Sequence, residues 1–334
     1  MLNIILKIYR IAVLFGVLFA PVAFADVLRD RDNGPLTGIF GIPDSTEGAN
    51  LLRAGEHAWD ISVTHASHSV DDPRSTETLY LDGETSRIEL RFRLGIGEKM
   101  EIGVELPYVQ HQAGRLDSFI DSWHDLFGLP QGYRPGRERD VLDFRYSDAT
   151  NLTIDMNSRS KGIGDARMFG GWGLIATGNH KLALRFSAKL PTGDSGELHG
   201  SGGTDLSLGL AGDVVNLFGI HSLSGFYRMH AIHIGEPDLL ANRYEEWASF
   251  VSTGVGWQMS DRIELRLQGA LRSALYQSEI HSLGGNATTV TFGGNIRISK
   301  NYELSLGVSE DADAETAPDV AFQVALRYRE TGGQ

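Results

Sequence analysis

Between Glu84 and Tyr108 apolar and polar residues alternate with a period of two. Ile88, Leu90, Phe92, Leu94 and Ile96 share one parity, and Arg87, Glu89, Arg91 and Arg93 occupy the other. After Gly97-Glu98-Lys99 the pattern resumes with Ile102, Val104, Leu106 and Tyr108 opposite Glu101, Gly103 and Glu105. Successive side chains of a strand point to opposite faces, so the stretch predicts a hairpin with one greasy and one charged face. A helix would scatter the same charges around its surface.

The pattern returns near the C-terminus. Ile263, Leu265, Leu267 and Leu271 alternate with Glu264, Arg266, Gln268 and Arg272, and Ile296 and Ile298 flank Arg297. Ser299-Lys300-Asn301 then turns into Tyr302, Leu304, Leu306 and Val308, with Glu303 and Ser305 between them. A last strand sets Val320, Phe322, Val324, Leu326 and Tyr328 against Ala321, Gln323, Ala325, Arg327 and Arg329. Less regular segments of the same spacing fill the middle, such as Leu182 to Leu190 after the Gly178-Asn179 turn.

The spacing predicts twelve antiparallel spans, at 56–69, 78–96, 99–112, 162–177, 180–191, 203–215, 219–233, 245–258, 261–276, 286–299, 301–310 and 318–329. Short connections gather on one side and longer ones on the other, the asymmetry of an outer-membrane barrel with short periplasmic turns and larger external loops. The interval 113–161 reads as a long external or lumen-folded loop carrying a small hairpin, with Leu142, Phe144 and Tyr146 in one limb and Leu152, Ile154 and Met156 in the other. Residues 26–55, punctuated by Gly34-Pro35 and Gly41-Ile42-Pro43, read as a periplasmic extension or partial plug, and 330–334 as a short tail.

Residues 1–25 have the form of a secretory signal peptide. Lys7 and Arg10 precede an apolar run from Ile11 to Ala20, and Ala23-Phe24-Ala25 gives a small-x-small cleavage site before Asp26. No later stretch reaches 18 consecutive apolar residues, so strands rather than helices must do any spanning. The 334-residue chain has no Cys, which excludes disulfide and zinc-thiolate chemistry. Its 43 acidic and 30 basic side chains give a net charge of −13, which argues against a nucleic-acid partner.

Alternation alone does not say which parity faces the middle. In a soluble barrel the apolar parity packs inward; in a membrane barrel it meets lipid. Export, loop asymmetry and the aromatics Trp59, Tyr108, Trp257, Tyr302 and Tyr328 near strand ends favour the membrane. The expected partners are therefore outer-membrane lipids, the barrel-assembly machinery and a small solute, while the alternation fixes no oligomeric state.

Several strings carry a resemblance: Gly34-Pro35-Leu36, Glu101 to Tyr108, Gly162-Ile163-Gly164-Asp165, and Lys189-Leu190-Pro191-Thr192-Gly193. Through them the mature chain resembles the proteobacterial domain-of-unknown-function family 3187, whose members look like outer-membrane β-barrels. The resemblance implies the barrel class and no catalytic role. Related strings also occur in other outer-membrane channels. The chain departs from many such barrels by continuing past Tyr328 instead of ending on a terminal aromatic.

The candidate site is the charged parity itself. Arg87, Arg91, Arg93, Arg266, Arg297, Arg327 and Arg329 face Glu89, Glu101, Glu105, Glu264 and Glu303 across the expected lumen. Fixed guanidinium groups along a wet lumen orient carboxylates and phosphates; equally, the two signs neutralise each other and fill a closed barrel. A solute channel is thus the leading expectation, with a closed structural or adhesion barrel as its alternative, and no cofactor or metal is implied.

An enzymatic reading starts from His65-Ala66-Ser67, which resembles a small piece of the outer-membrane phospholipases, where a lipid-facing His and Ser stand at this separation. No Asn-Gly segment follows to complete that pattern, and the chain is expected not to be an enzyme. Gly162-Ile163-Gly164-Asp165 lacks the helix and Lys of a phosphate loop, leaving Asp165 to satisfy turn amides. Asp311, Asp313, Glu315 and Asp319 read as a solvated acidic loop, and His230 and His233 differ in parity, so a shared metal site would need a bulge.

Overall fold

The computed structural model describes residues 27–114, 140–148, 152–312 and 320–330. The expected signal peptide, the centre of the long loop, most of the 311–319 acidic cluster and the last four residues lie outside them.

The strands are β1 (His57–Pro73), β2 (Glu77–Ile96), β3 (Met100–Gln112), β4 (Asp143–Asp148), β5 (Leu152–Met156), β6 (Ser160–Ile163), β7 (Arg167–Ala176) and β8 (His180–Lys189). They continue as β9 (Asp205–Val215), β10 (Leu223–His233), β11 (Trp247–Gln258), β12 (Ile263–Arg272), β13 (Ala287–Arg297), β14 (Tyr302–Asp311) and β15 (Val320–Arg329). Every pairing is antiparallel between chain neighbours around the wall, and β1 pairs with both β2 and β15, which closes a twelve-stranded barrel. Each expected span has its strand. The fourth is interrupted: β6 pairs with the far end of β3 and β7 with its near end, so one span is two strands separated by Gly164-Asp165-Ala166.

The small hairpin β4–β5 sits on the extension of β2. Beyond Asp82, β2 leaves β3 and takes β4 as its neighbour, while β1 stays paired with β2 to Pro73. These two strands therefore stand above the rest of the wall, and their short 74–76 turn joins the end that carries the long loops 190–204, 234–246 and 273–286. The other end carries the short turns 97–99, 177–179, 216–222, 259–262 and 298–301.

Side-chain direction settles the parity. Leu90 is 50% exposed and Leu106 51%, whereas Arg91 is 3% and Glu105 1% exposed. The same reversal runs around the wall through Met168, Phe186, Leu208, Met229, Val255, Leu267, Phe292 and Val324, all outward. Such a continuous exposed band is untenable in water but suits acyl chains, where a closed barrel leaves no backbone amide unpaired. Near the turn end Trp59, Tyr302 and Tyr328 pack together, with centroids 5.2 to 6.1 Å apart, as amphipathic rings do at a headgroup boundary.

Candidate functional site

The interior is occupied by the chain's own N-terminal segment. Residues 27–53 form a U whose limbs both reach the turn end. Val27 accepts a hydrogen bond from Arg327 (2.8 Å), and at the other end the Leu52 amide donates to Glu101 (3.0 Å). Between them the tip climbs to the loop end, where the Tyr276 hydroxyl donates to the Leu36 carbonyl (2.7 Å) and the Gly41 amide donates to Asp205 (2.7 Å). Close approach requires glycine here: a Cβ on Gly41 would lie 2.9 Å from the Lys189 Cβ and 3.0 Å from that of Asp205.

The first limb is fixed by the middle of the barrel. Gln268 and Gln323 each exchange hydrogen bonds with backbone groups of Leu28 and Arg29. Asp30 accepts from Ser45 of the second limb and from Ser252 of β11, so one carboxylate ties limb to limb and limb to wall. In the second limb, Asp213 accepts from the Ala49 amide (2.7 Å) and from Arg228 (2.6 Å), and Lys181 donates to Asn50 (2.6 Å).

The sequence-predicted charges fall into four groups. Around the first limb, Glu89 receives Arg87 (2.9 Å), Arg29 (2.7 Å) and Arg31 (3.5 Å), while Glu105 receives Arg91 (2.6 Å), Arg29 (3.2 Å) and Arg167 (3.3 Å). Plug residue Asp44 bridges Arg29 (3.0 Å) and Arg91 (3.1 Å). Nearer the turns, Glu101 lies between Arg185 (2.8 Å) and Arg93 (3.7 Å). Elsewhere the pairs are local: Arg266 with Glu264 (3.0 Å) and Arg327 with Glu303 (3.4 Å). Arg297 and Arg329 reach backbone carbonyls of Asp261 and Leu51 at the turn end instead of the central network.

Sequence reasoning missed half of this network. Arg185 and Lys189 share the inward parity opposite Phe186 and Leu190, and Arg167 and Arg228 follow the same rule on β7 and β10, so the alternation carries their signal. The plug's Arg29, Asp30, Arg31, Asp44 and Glu47 have no such periodicity and gave none. Several inward groups along β7, β8 and β10 have no protein hydrogen-bond partner: Arg167 Nε, Arg185 Nε and both ring nitrogens of His230, together with Glu47 Oε2 of the plug.

Over the tip lies an apolar cluster. Leu36, Phe40 and Ile42 meet Phe144 and Tyr146 of β4, Ile232, Ile234, Leu240, Phe250, Leu275, Tyr276 and Leu283. Phe40 and Tyr276 pack edge to face at 5.4 Å, and burial pushes the Tyr276 hydroxyl well above its ordinary pKa. Loop 190–204 is fastened beside it. Asp165 accepts from the amides of Gly193 (2.9 Å) and Ser201 (3.0 Å) and from Lys189 (2.8 Å), so it anchors a distant loop rather than its own turn, correcting the sequence expectation. In that loop His199 contacts Ser160 (2.8 Å) and stacks on His111 at 5.8 Å; desolvation holds its pKa below the ordinary value.

His65 and Ser67 do not pair. His65 contacts Ser86 (2.7 Å) and Glu84 (2.9 Å) on β2, and Ser67, opposite Glu84, is buried. His230 and His233 point to opposite faces, as their parity requires. Of the acidic cluster only Asp311 lies within the described residues.

A closed twelve-stranded antiparallel wall, apolar outside and charged within, defines an outer-membrane β-barrel. Residues 20–329 match the model of the family described as "Protein of unknown function (DUF3187)", and the chain belongs to that family. Among proteins of curated function none matches the sequence. The COG4313 outer membrane channel from Pseudomonas putida F1 shares the fold, with a TM-score of 0.54 at 11% identity, covering 84% of this chain and 96% of that one. More distant are the KdgM porin in complex with disordered oligogalacturonate (TM-score 0.43, 8% identity, 81% and 99% covered) and the P. putida toluene transporter TodX (0.37, 10%, 91% and 98%).

Proposed function

We propose that the protein is a channel of the bacterial outer membrane for a small solute, held closed by its N-terminal segment. The observation that carries this reading is the chemistry of the interior. The wall does not fill its own lumen; it presents ion-pairing groups to a U-shaped segment that enters from the turn end and, below its apolar tip, is held by side-chain and backbone hydrogen bonds and ion pairs. A lumen meant to stay shut is more economically packed with apolar side chains, because desolvated ion pairs are at best marginal in net stability. The unpartnered nitrogens of Arg167, Arg185 and His230 beside Glu47 mark a polar seam between plug and wall. We take this seam as the path of the solute.

The apolar cluster over the tip favours a second reading, a permanently closed structural or adhesion barrel. Planar-bilayer recording separates the two. The channel reading expects rare openings of the wild type and a sustained conductance after deletion of residues 27–53 or, should that deletion not fold, in the Arg29→Ala/Asp44→Ala variant. Folded variants that stay silent over a wide voltage range would leave only the closed barrel.

A further inference from the structure

We propose that Ser86, His65 and Glu84 form a hydrolytic triad on the outer wall of the barrel that cleaves acyl esters of outer-leaflet lipids. His65 and Ser86 are direct register partners on β1 and β2, and Glu84 precedes Ser86 by two residues, on the same parity. The imidazole is engaged at both nitrogens: Nδ1 lies 2.7 Å from the Ser86 hydroxyl and Nε2 lies 2.9 Å from Glu84 Oε2. An ionised carboxylate only accepts, so Glu84 fixes the proton on Nε2 and leaves Nδ1 to receive the hydroxyl proton of Ser86. Glu84 is fully shielded and further held by the Gln112 amide at 3.5 Å, while the His65 side chain keeps 23% exposure.

The position gives the substrate class. On β1, β2 and β3 the outward band ends at Val63, Ile88 and Tyr108, and the next outward residues toward the loop end are His65, Ser86 and Gln110. The triad therefore stands where acyl chains give way to headgroups on the external side, at the level of an ester linkage. The register continues the row from Ser86 to Gln110 and then to Lys161. The Gln110 amide already donates to Gln112, which leaves its second N–H for a developing oxyanion, and Lys161 brings a positive charge to the same row for a lipid phosphate. Ser86 lies two residues before Ile88, so the acyl chain of a bound lipid can lie down the apolar wall while its ester meets the hydroxyl.

The chemistry balances without a metal or redox partner. The Ser86 oxygen attacks the ester carbonyl carbon as its proton passes to His65 Nδ1, and Glu84 stabilises the imidazolium. Collapse of the tetrahedral intermediate breaks the acyl carbon–oxygen bond, and the departing alcohol takes the proton from His65. Water then attacks the acyl-serine, returning a proton through His65 to Ser86 and releasing the fatty acid. His65 and Ser86 are the catalytic residues, and Glu84 is a positioning residue.

This inference is independent of solute passage and rests only on the outward face meeting lipid. It is tested on the purified full chain folded in detergent micelles, with heat-modifiable migration in gels as the check of folding. A fluorophosphonate probe should label Ser86, located by peptide mass mapping. Fatty acid should be released from phosphatidylethanolamine micelles, which assigns a phospholipid ester, or from lipopolysaccharide, which assigns an acylated saccharide. Ser86→Ala and His65→Ala should each lower release at least roughly 10³-fold. Glu84→Gln should lower kcat with KM unchanged, and Glu84→Asp should restore part of it. Folded wild type that releases fatty acid from neither lipid overturns the proposal, as does a Ser86→Ala variant as active as wild type. Neither result touches the conductance reading.

Discussion

Arg29 of the plug donates to Glu89 of the wall at 2.7 Å, and the same guanidinium also reaches Asp44, Asp60 and Glu105 within 3.2 Å. One side chain thus neutralises carboxylates contributed by β1, β2, β3 and the second limb. Removing it leaves several buried negative charges facing one another. Arg29→Ala should weaken docking by about 3–5 kcal/mol, read as a large rise in open probability or in protease cleavage of residues 27–53. Arg29→Met combined with Glu89→Gln should cost less than the single change, because the partner charge leaves with it.

Lipid and lumen positions should respond oppositely to charge. Leu90→Arg places a guanidinium against acyl chains and should destabilise the barrel by roughly 2–4 kcal/mol. Arg91→Leu should leave the lipid contact intact and instead take one guanidinium partner from Asp44 and Glu105, which keep Arg29. Denaturant titration of folding into vesicles checks the first, and conductance or plug proteolysis the second.

The fit of the plug tip depends on Gly41. Gly41→Leu inserts a side chain where even a Cβ would meet Lys189 and Asp205, so the tip should lift from loop 190–204 while the wall still closes. Heat-modifiable migration should stay normal, and spin-label distances between positions 39 and 198 should lengthen. Unchanged distances would contradict the packing.

Loop 190–204 should loosen in mild acid. Burial lowers the pKa of His199, so an undocked loop takes up the proton first as pH falls through the ordinary histidine value of 6.5. Docking is then fully stable above that value and weakens progressively below it, because the released state binds more protons. Nicking of the loop should rise between about pH 7 and pH 5, and His199→Gln should flatten the dependence.

The wall was legible because period two is a strong signal wherever one face is apolar. Leu90 and Arg91, or Leu326 and Arg327, alternate so regularly that strand, pairing and face follow together, and the twelve spans were placed within a few residues. The break of the fourth span escaped because Gly162-Ile163-Gly164-Asp165 keeps a strand-like pattern, and what interrupts it is Asp165 turning away to hold Ser201 and Lys189 from distant chain. The plug was open for the same reason. Asp30 and Asp44 look like ordinary polar loop residues until Ser252 and Arg91 arrive from far along the sequence. In the same way the sequence pairs His65 with Ser67 on its own strand, whereas the cross-strand register supplies Ser86.

The U shape of residues 27–53 has a mechanical corollary. A strap whose two ends hang from the same rim can slide out and return without being cut, threaded or unwound, and without disturbing a rung of the wall's ladder. Traction from the short-turn compartment would meet the apolar tip contacts last, so the latch releases from below while the lid at the far mouth is still shut.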